Sequence, residues 1–335
     1  MLNIAVLGCG RIGQMHARNI SGHPRAKLAC IYDIDASAAQ RLGAALNAPV
    51  AKSVDEILAS GAVDAILIAS STSTHADLLE RAVAAGKPVL CEKPIDLSLS
   101  RVNRCADVIR GTTVPIMLGF VRRFDPGHRA MREAVRNGAI GELHQVVITS
   151  RDPGMPPVAY TEVSGGIFRD MTIHDFDMAR FILGEEPVEV SAQGSRLVDP
   201  ALMNRLGDYD TVSVVLRTAS GKQCVINNSR QAVYGYDQRV EALGTLGLAL
   251  SENRKPHEAV VHRQEFTGKA APYLNFFIER YAEAFSAEID EFVAAIEGKR
   301  APEVGFDDGR IALLLAEAAI KSATEGRVIR LTEMG

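Results

Sequence analysis

The segment Ile4-Ala5-Val6-Leu7-Gly8-Cys9-Gly10-Arg11-Ile12-Gly13 decides the fold of the first third of this 335-residue chain. An apolar run typical of a strand, Ile4–Leu7, leads into glycines spaced G-x-G-x-x-G, and a helical pattern follows. Gly8 permits a tight turn, Gly10 lets the backbone approach a pyrophosphate, and Gly13 lets helix and strand pack closely. Because N–H groups at a helix start attract anions, the segment predicts a dinucleotide-binding turn.

An acidic residue follows the glycine turn at the position where dinucleotide-binding folds bind a ribose. Asp33 lies twenty residues after Gly13, at the end of the strand pattern Lys27–Tyr32. A carboxylate there can bind the 2′- and 3′-hydroxyls of a ribose, and it would repel a 2′-phosphate. The spacing therefore favours NAD over NADP. The alternative is a turn aspartate that only caps the next helix.

The pattern of elements changes near residue 120. Before it, strand and helix patterns alternate, which predicts an α/β Rossmann domain with a parallel, doubly wound sheet over residues 1–120. After it, strand patterns predominate, at His144–Ser150, Val188–Gly194, Thr211–Arg217, Gln223–Asn228 and Arg239–Leu243. They predict an α+β domain over residues 121–335 with a large, mostly antiparallel open sheet.

Two helices are expected at the C-terminal end. Apolar residues recur every three or four positions from Leu274 to Ile296, which predicts one amphipathic helix ended by Gly298. A last helix over about residues 307–325 is capped by Asp307 or Asp308, and we expect it to pack back on the N-terminal domain.

Composition excludes several classes of protein. The net charge is −4 and aromatic residues make up 5%, which argues against nucleic acid or an anionic membrane as the main partner. No apolar run reaches the ~20 residues of a transmembrane helix, and no basic segment of a signal peptide precedes the first strand. The five cysteines lack paired spacing, which favours free thiols in the cytoplasm and no structural metal.

Two short motifs carry reactive side chains. Glu92-Lys93-Pro94 follows a strand pattern, where open α/β sheets hold ligands, so Lys93 could polarise a hydroxyl or be an ordinary surface lysine. Asp170 and His174 are four residues apart and share one face of a predicted helix. An imidazole can take a proton near neutral pH, and a carboxylate can orient it. The alternatives are a capping aspartate with a core histidine, or half of a metal site.

Three stretches together resemble the glucose–fructose oxidoreductase/inositol dehydrogenase/MocA family. They are the glycine turn, Glu92-Lys93-Pro94, and the run Gly165-Gly166-Ile167-Phe168-Arg169-Asp170-Met171-Thr172-Ile173-His174-Asp175-Phe176-Asp177. The resemblance covers essentially the whole chain, and Phe168–Asp177 is most similar to the inositol dehydrogenase branch.

The resemblance implies a role for each matching position. Lys93, Asp170 and His174 would be catalytic, with His174 as general base, and the Lys93–Pro94 bond would be cis. The cofactor-binding positions would be Gly8, Gly10, Arg11, Ile12, Gly13, Asp33, Ser71, Thr72, His75, Glu92 and Lys93. The substrate-binding positions would be Lys93, Arg122, Asp170, His174, Tyr236 and Tyr281, with Arg123 as an alternative to Arg122.

The activity that follows is NAD-dependent oxidation of a small polyol. The resemblance implies oxidation of myo-inositol to 2-keto-myo-inositol (scyllo-inosose) by a homotetramer, with the open sheet as an interface. Another cyclitol or sugar, such as scyllo-inositol, chiro-inositol or an aldose, would suit the same residues. A third possibility is a regulator that binds the nucleotide without turnover.

Overall fold

The computed structural model describes residues 1–334, and their contacts divide the chain into two units. The first unit comprises Met1–Val121 and Phe285–Leu313. The second comprises Arg122–Ala284 and the residues from Leu314 onward. Each unit thus combines a long segment with a shorter one that comes later in the chain.

The first unit contains a five-stranded parallel sheet, which confirms the predicted α/β class. Its strands are β1 (Leu2–Leu7), β2 (Ala26–Tyr32), β3 (Ala65–Ile68), β4 (Val89–Cys91) and β5 (Ile116–Leu118). The helices that alternate with them are α1 (Arg11–Ser21), α2 (Ala36–Leu46), α3 (Val54–Ala59), α4 (His75–Ala84) and α5 (Leu99–Ile109).

The strand order places the glycine turn where the sheet reverses direction. The order is β2-β1-β3-β4-β5, and every pairing is parallel. The chain passes from β1 to one side and from β2 back to the other, so the C-terminal end of β1 lies at the switch point. All four residues of β3 are buried, as expected for a strand covered on both faces.

The second unit contains a seven-stranded mixed sheet, which confirms the predicted large, mostly antiparallel sheet. Its strands are β6 (Leu143–Arg151), β7 (Pro187–Ser195), β8 (Thr211–Thr218), β9 (Gln223–Ser229), β10 (Asp237–Gly244), β11 (Gly247–Ser251) and β14 (Ile329–Arg330). The order is β11-β10-β6-β9-β8-β7-β14, and only β6 and β9 pair in parallel. Strand β8 alternates buried and exposed residues, so the sheet has one open face. A separate ribbon joins β12 (Val260–Val261) to β13 (Lys269–Ala270).

The helices after residue 121 differ from the prediction in two respects. They are α6 (Pro126–Arg136), α7 (Val158–Thr161), α8 (Ile173–Leu183), α9 (Pro200–Leu206), α10 (Phe277–Arg280), α11 (Ala282–Glu297) and α12 (Phe306–Glu325). The last helix begins at Phe306, so Asp307 and Asp308 lie in its first turn and do not cap it. The apolar stripe predicted as one helix is divided into α10 and α11, because the backbone leaves the helical region at Tyr281. Arg280 binds Asp125 at 2.5 Å, and this contact orients the short helix α10.

Within residues 1–334, no helix is both long and apolar enough to cross a lipid bilayer.

Candidate active site

The glycine turn has the geometry of a phosphate-binding loop. Gly8 adopts φ +103°, and a Cβ on it would lie 2.3 Å from the Ala69 carbonyl oxygen. A Cβ on Gly13 would lie 1.9 Å from the Gly8 carbonyl oxygen, so α1 packs directly on the turn. A Cβ on Gly10 would meet nothing within 4 Å, which leaves open space beside the backbone. These three glycines fit a dinucleotide pyrophosphate at the start of α1.

Asp33 is bound to the glycine turn. Its Oδ2 accepts a hydrogen bond from the Cys9 backbone N–H at 2.6 Å, and its Oδ1 accepts one from the Asp35 N–H at 2.8 Å. The capping role weighed for Asp33 belongs to Asp35, whose carboxylate accepts from the Ser37 and Ala38 N–H groups at the start of α2. Burial, together with the charges of Asp33 and Asp35, raises the pKa of the Cys9 thiol to about 12.

A second loop of the first unit holds other predicted cofactor residues. Residues Thr72–Thr74 form a short 3₁₀ helix, with Ser71 exposed and Thr72 half-buried. His75 is buried, and its ring nitrogens lie 2.8 Å from the Pro94 carbonyl oxygen and 3.0 Å from that of Ser70. His75 thus connects the loop after β3 to the segment after β4. The Lys93–Pro94 bond is cis, as the resemblance implied.

Asp170 and His174 lie on consecutive helical turns of the second unit. The predicted α-helix begins as a π-helical turn, Phe168–Thr172, which contains Asp170, and continues as α8, which contains His174. Such π turns are rare and are frequently found at functional sites. Gly166, just before the turn, adopts φ +87°, and a Cβ on it would lie 2.8 Å from Asp208 Oδ1. A glycine is therefore required where the chain enters this turn.

Two residues that the sequence analysis missed bind Asp170. The Tyr160 hydroxyl donates to Asp170 Oδ1 at 2.6 Å, and Arg230 Nη1 donates to Oδ2 at 3.1 Å. Arg230 is only 1% exposed. These donors occupy both carboxylate oxygens, and charged hydrogen bonds of this kind are about twice as strong as neutral ones. Nothing in the sequence pattern pairs these residues, since Tyr160 is ten positions before Asp170 and Arg230 is sixty after it.

Asp152 is a second acid near Asp170. It follows β6, and its carboxyl lies in the electrostatic environment of Asp170 and Arg230. Burial and the charge of Asp170 together raise the pKa of Asp152 to about 6, against the opposing effect of Arg230 and Arg122. The second unit therefore contains an acid that titrates near neutral pH.

Three predicted substrate residues of the second unit come together. The Tyr236 and Tyr281 rings meet edge to face with centroids 6.3 Å apart, and the Arg122 guanidinium lies 5.9 Å from the Tyr281 centroid. Arg122 is also bound to Asp175 at 2.5 Å and to Ser150 at 2.9 Å. The buried Tyr281 hydroxyl has no hydrogen-bond partner among residues 1–334. A buried hydroxyl without a partner is expected where a polar ligand supplies the missing bond.

The neighbouring arginine has a different environment. Arg123 binds Asp177 through two nitrogens, at 2.8 Å and 2.5 Å. Both side chains are almost completely buried, and the Arg123 guanidinium lies 5.3 Å from the centroid of the Phe181 ring. This bidentate pair anchors α8, so the structure favours Arg122 over Arg123 as the residue near the tyrosines.

The second unit thus combines an imidazole with a fixed carboxylate and a polar cluster. His174 is half-buried, and an imidazole is the side chain that most often serves as a general base. Asp170, held by two donors, supplies a fixed negative charge on the preceding turn. Such an arrangement is suited to removing a proton from a hydroxyl group.

Comparisons with known proteins agree with this geometry. Residues 2–120 match a family described as an oxidoreductase family with an NAD-binding Rossmann fold. Residues 128–250 match the GFO/IDH/MocA C-terminal domain. The first unit is accordingly an NAD-binding domain.

Three similar proteins cover nearly the whole chain. Inositol 2-dehydrogenase of Rhizobium meliloti (strain 1021) is 49% identical over 329 residues, 98% of each chain. Myo-inositol 2-dehydrogenase of Thermotoga maritima is 44% identical over 334 residues, 99% of each chain. A crystal structure of scyllo-inositol dehydrogenase from Lactobacillus casei, with bound NAD(H) and scyllo-inositol, superimposes with a TM-score of 0.91 at 27% identity and covers 99% of each chain.

Proposed function

Because this chain belongs to the GFO/IDH/MocA family of oxidoreductases, we propose that it oxidises myo-inositol to 2-keto-myo-inositol (scyllo-inosose) with NAD. The observation that carries the proposal is the identity of 44–49% over nearly the full length to relatives named inositol 2-dehydrogenases. The polar side chains of the second unit, which can bind a ring of hydroxyl groups, support it.

The cofactor would be held by the glycine turn and Asp33. Backbone N–H groups at the start of α1, beside Gly10 and Arg11, would bind the pyrophosphate, and Ile12 and Gly13 follow them on the helix. Asp33 would accept hydrogen bonds from the ribose hydroxyls and disfavour a 2′-phosphate. The family resemblance adds Ser71, Thr72, His75 and Glu92 to the proposed cofactor set. When bound, NAD accepts the hydride released from the substrate carbon.

The proton and the developing charge are handled by three side chains. His174 would act as general base and take the proton of the reacting hydroxyl. Asp170 would orient the imidazole and stabilise its positive charge once it is protonated. Lys93 would stabilise the negative charge that develops on the substrate oxygen. Arg122, Tyr236 and Tyr281 would bind the other hydroxyl groups of the ring.

One alternative substrate has specific support. The Lactobacillus casei relative is a scyllo-inositol dehydrogenase, and its structure holds scyllo-inositol. At 27% identity it is less similar to this chain than the two inositol 2-dehydrogenases. We therefore rank scyllo-inositol, chiro-inositol and aldoses below myo-inositol.

The substrate is tested by following NADH absorbance with NAD and a panel of cyclitols and aldoses. We expect the highest kcat/KM with myo-inositol. Turnover of another polyol alone would move the specificity and keep the proton chemistry. NADH binding without turnover of any polyol would instead identify a nucleotide-sensing regulator.

The general base is tested by the pH profile and by substitution. Because His174 must be neutral to accept a proton, kcat/KM for inositol should rise with pH as the imidazole loses its proton. His174→Asn should lower kcat by about 100-fold or more while NADH binding is retained. A flat profile, or loss of NADH binding in the variant, would contradict the assignment.

The open sheet supports a homotetramer. Val215, Leu243, Leu248 and Leu250 expose apolar side chains on β8, β10 and β11. Exposed apolar patches of this kind commonly form subunit interfaces. Light scattering should give about four times the chain mass, and a mass near 36.1 kDa would contradict the proposal.

A further inference from the structure

Three ionisable side chains form a closely packed cluster in the first unit. His16 lies on α1, Glu92 follows β4, and Glu288 lies on α11. His16 Nε2 is 2.8 Å from Glu92 Oε1 and 4.0 Å from Glu288 Oε2. The Phe285 ring meets the His16 ring edge to face at 5.7 Å and fixes its plane. His16 Nε2 is thus placed to donate a hydrogen bond to Glu92.

Glu288 is the unusual member of this cluster. Its side chain is completely buried, and neither carboxylate oxygen has a hydrogen-bond partner among residues 1–334. Burial raises the pKa of Glu288 well above its ordinary value, and the nearby Glu92 carboxylate raises it further. An ionised carboxylate without partners is strongly disfavoured in such a site.

From this geometry we propose that Glu288 is an uncharged carboxylic acid, and that with His16 it positions Glu92 at the start of the Glu92-Lys93-Pro94 segment. Glu288 is a positioning residue in this proposal, since its contacts are with His16 and not with a ligand. The predicted effect on NADH binding rests on the cofactor role proposed for Glu92, whereas the protonation state of Glu288 does not.

The neutral acid decides which carboxylate His16 binds. His16 Nδ1 is buried without a partner among the described residues, which fits a neutral ring with its proton on Nε2. An ionised Glu288 would compete with Glu92 for that proton. The Glu92 carboxylate also lies over Gly119, where a Cβ would come within 2.9 Å of its Oε2. Together, His16 and the absence of a side chain at Gly119 set the position of Glu92.

The titratable groups that face Glu288 are His16 from α1 and Glu92 from the end of β4. Glu291, one turn later on α11, is paired with Arg300, with carboxylate–guanidinium distances of 2.6 Å and 2.7 Å.

The proposed protonation of Glu288 makes stability depend on pH. The folded protein keeps a proton on Glu288 that the unfolded chain loses near pH 4.3. Its stabilising contribution is complete below that pH and falls as the pH rises toward the raised value.

The first test is the pH dependence of Tm in Glu288→Gln and in the second neutral variant, Glu288→Met. The Tm difference between variant and wild type should grow by about 2 °C per pH unit above pH 5, because only the wild type must hold a proton to fold. Glu283→Gln, an exposed position on the same helix, is the matched control and should show no such trend. A difference that is flat or falls with pH in both Glu288 variants would overturn the proposal.

Infrared spectroscopy and metal binding give independent readouts. At neutral pH the wild type should show a protonated-carboxyl band that is absent from Glu288→Gln, and its absence from the wild type would overturn the proposal. Zn²⁺ and Mn²⁺ should leave Tm unchanged. Stoichiometric binding of either ion that is lost in Glu288→Gln would identify the cluster as a cation site and overturn the proposal.

The positioning role is tested with two variants of similar shape. His16→Gln retains a donor toward Glu92 and His16→Met does not, so His16→Met should weaken NADH binding by about tenfold while His16→Gln restores most of it. Equal binding in both variants would overturn the positioning role. Since binding of NADH needs no polyol, failure of the inositol assignment would leave these results unaffected.

Discussion

Replacing Asp152 with asparagine should abolish a fall in the free energy of unfolding that we expect between pH 4 and 6. Burial and the charge of Asp170 raise the pKa of Asp152 to about 6, above the value of 3.8 expected in the unfolded chain. In this interval the folded protein holds one more proton than the unfolded chain, so the free energy of unfolding falls as the pH rises. Asp152→Asn cannot titrate and should lack this fall.

The magnitude follows from the two pKa values. A difference of about 2 between the folded and unfolded pKa values corresponds to about 3 kcal/mol in the free energy of unfolding. This stabilisation is complete below pH 4 and is lost above pH 6. Arg230 and Arg122 attract the ionised form and already reduce the shift. The free energy of unfolding of Asp152→Asn, relative to that of the wild type, should therefore increase by up to about 3 kcal/mol between pH 4 and 6.5.

The assay is urea unfolding followed by circular dichroism at half-unit steps from pH 4 to 7, with both proteins measured at each pH. Glu252→Gln, an exposed position in the same unit, is the control and should follow the wild type throughout. A constant difference between Asp152→Asn and the wild type would show that Asp152 titrates in the folded protein as in the unfolded chain.

Three further substitutions test the cofactor preference, the hydrogen bond to Asp170 and the need for glycine at residue 166. Asp33→Ser should lower the ratio of kcat/KM with NAD to that with NADP by about tenfold or more, because the charge that repels a 2′-phosphate is lost; an unchanged ratio would contradict the role of Asp33. Tyr160→Phe removes the 2.6 Å bond to Asp170, the carboxylate proposed to orient His174, and should lower kcat about threefold to tenfold, whereas Tyr273→Phe, a control, should not. Gly166→Ala places a Cβ within 2.8 Å of a carboxylate oxygen at φ +87°, and calorimetry should show a loss of about 1–3 kcal/mol in the free energy of unfolding. Gly247→Ala, where a Cβ meets nothing within 4 Å, is the control and should show no such loss.

Features that depend on short stretches of sequence were predictable. The strand, glycine turn and helix of residues 4–20 are adjacent in the chain, and their spacing alone implies the first βα unit. In the same way, the alternation of apolar and polar residues along β8 predicts which side chains are buried and which are exposed. The seven strand patterns given above match β1, β2 and β6–β10, with each end within two residues of its predicted position.

Elements that depend on distant partners were missed. Strands β11 and β14 are short and carry no clear periodicity, and they are ordered by pairing with β10 and β7. The break between α10 and α11 lies within one apolar stripe, which is continuous in sequence. Arg280, the last residue before this break, binds Asp125, which lies 155 positions earlier in the chain.

The residues of the candidate site also fall into two groups, those recognisable from local spacing and those brought in by distant segments. The sequence by itself determined the NAD-binding turn, the acid at residue 33, the Lys93 motif and the Asp170–His174 pair, because each is a local spacing of chemically distinctive residues. Only the tertiary structure decided that Tyr160 and Arg230 bind Asp170, and that Glu288 lies buried beside His16 and Glu92. The physical reason is that burial and partner choice depend on how distant segments pack, and a spacing rule contains no information about either.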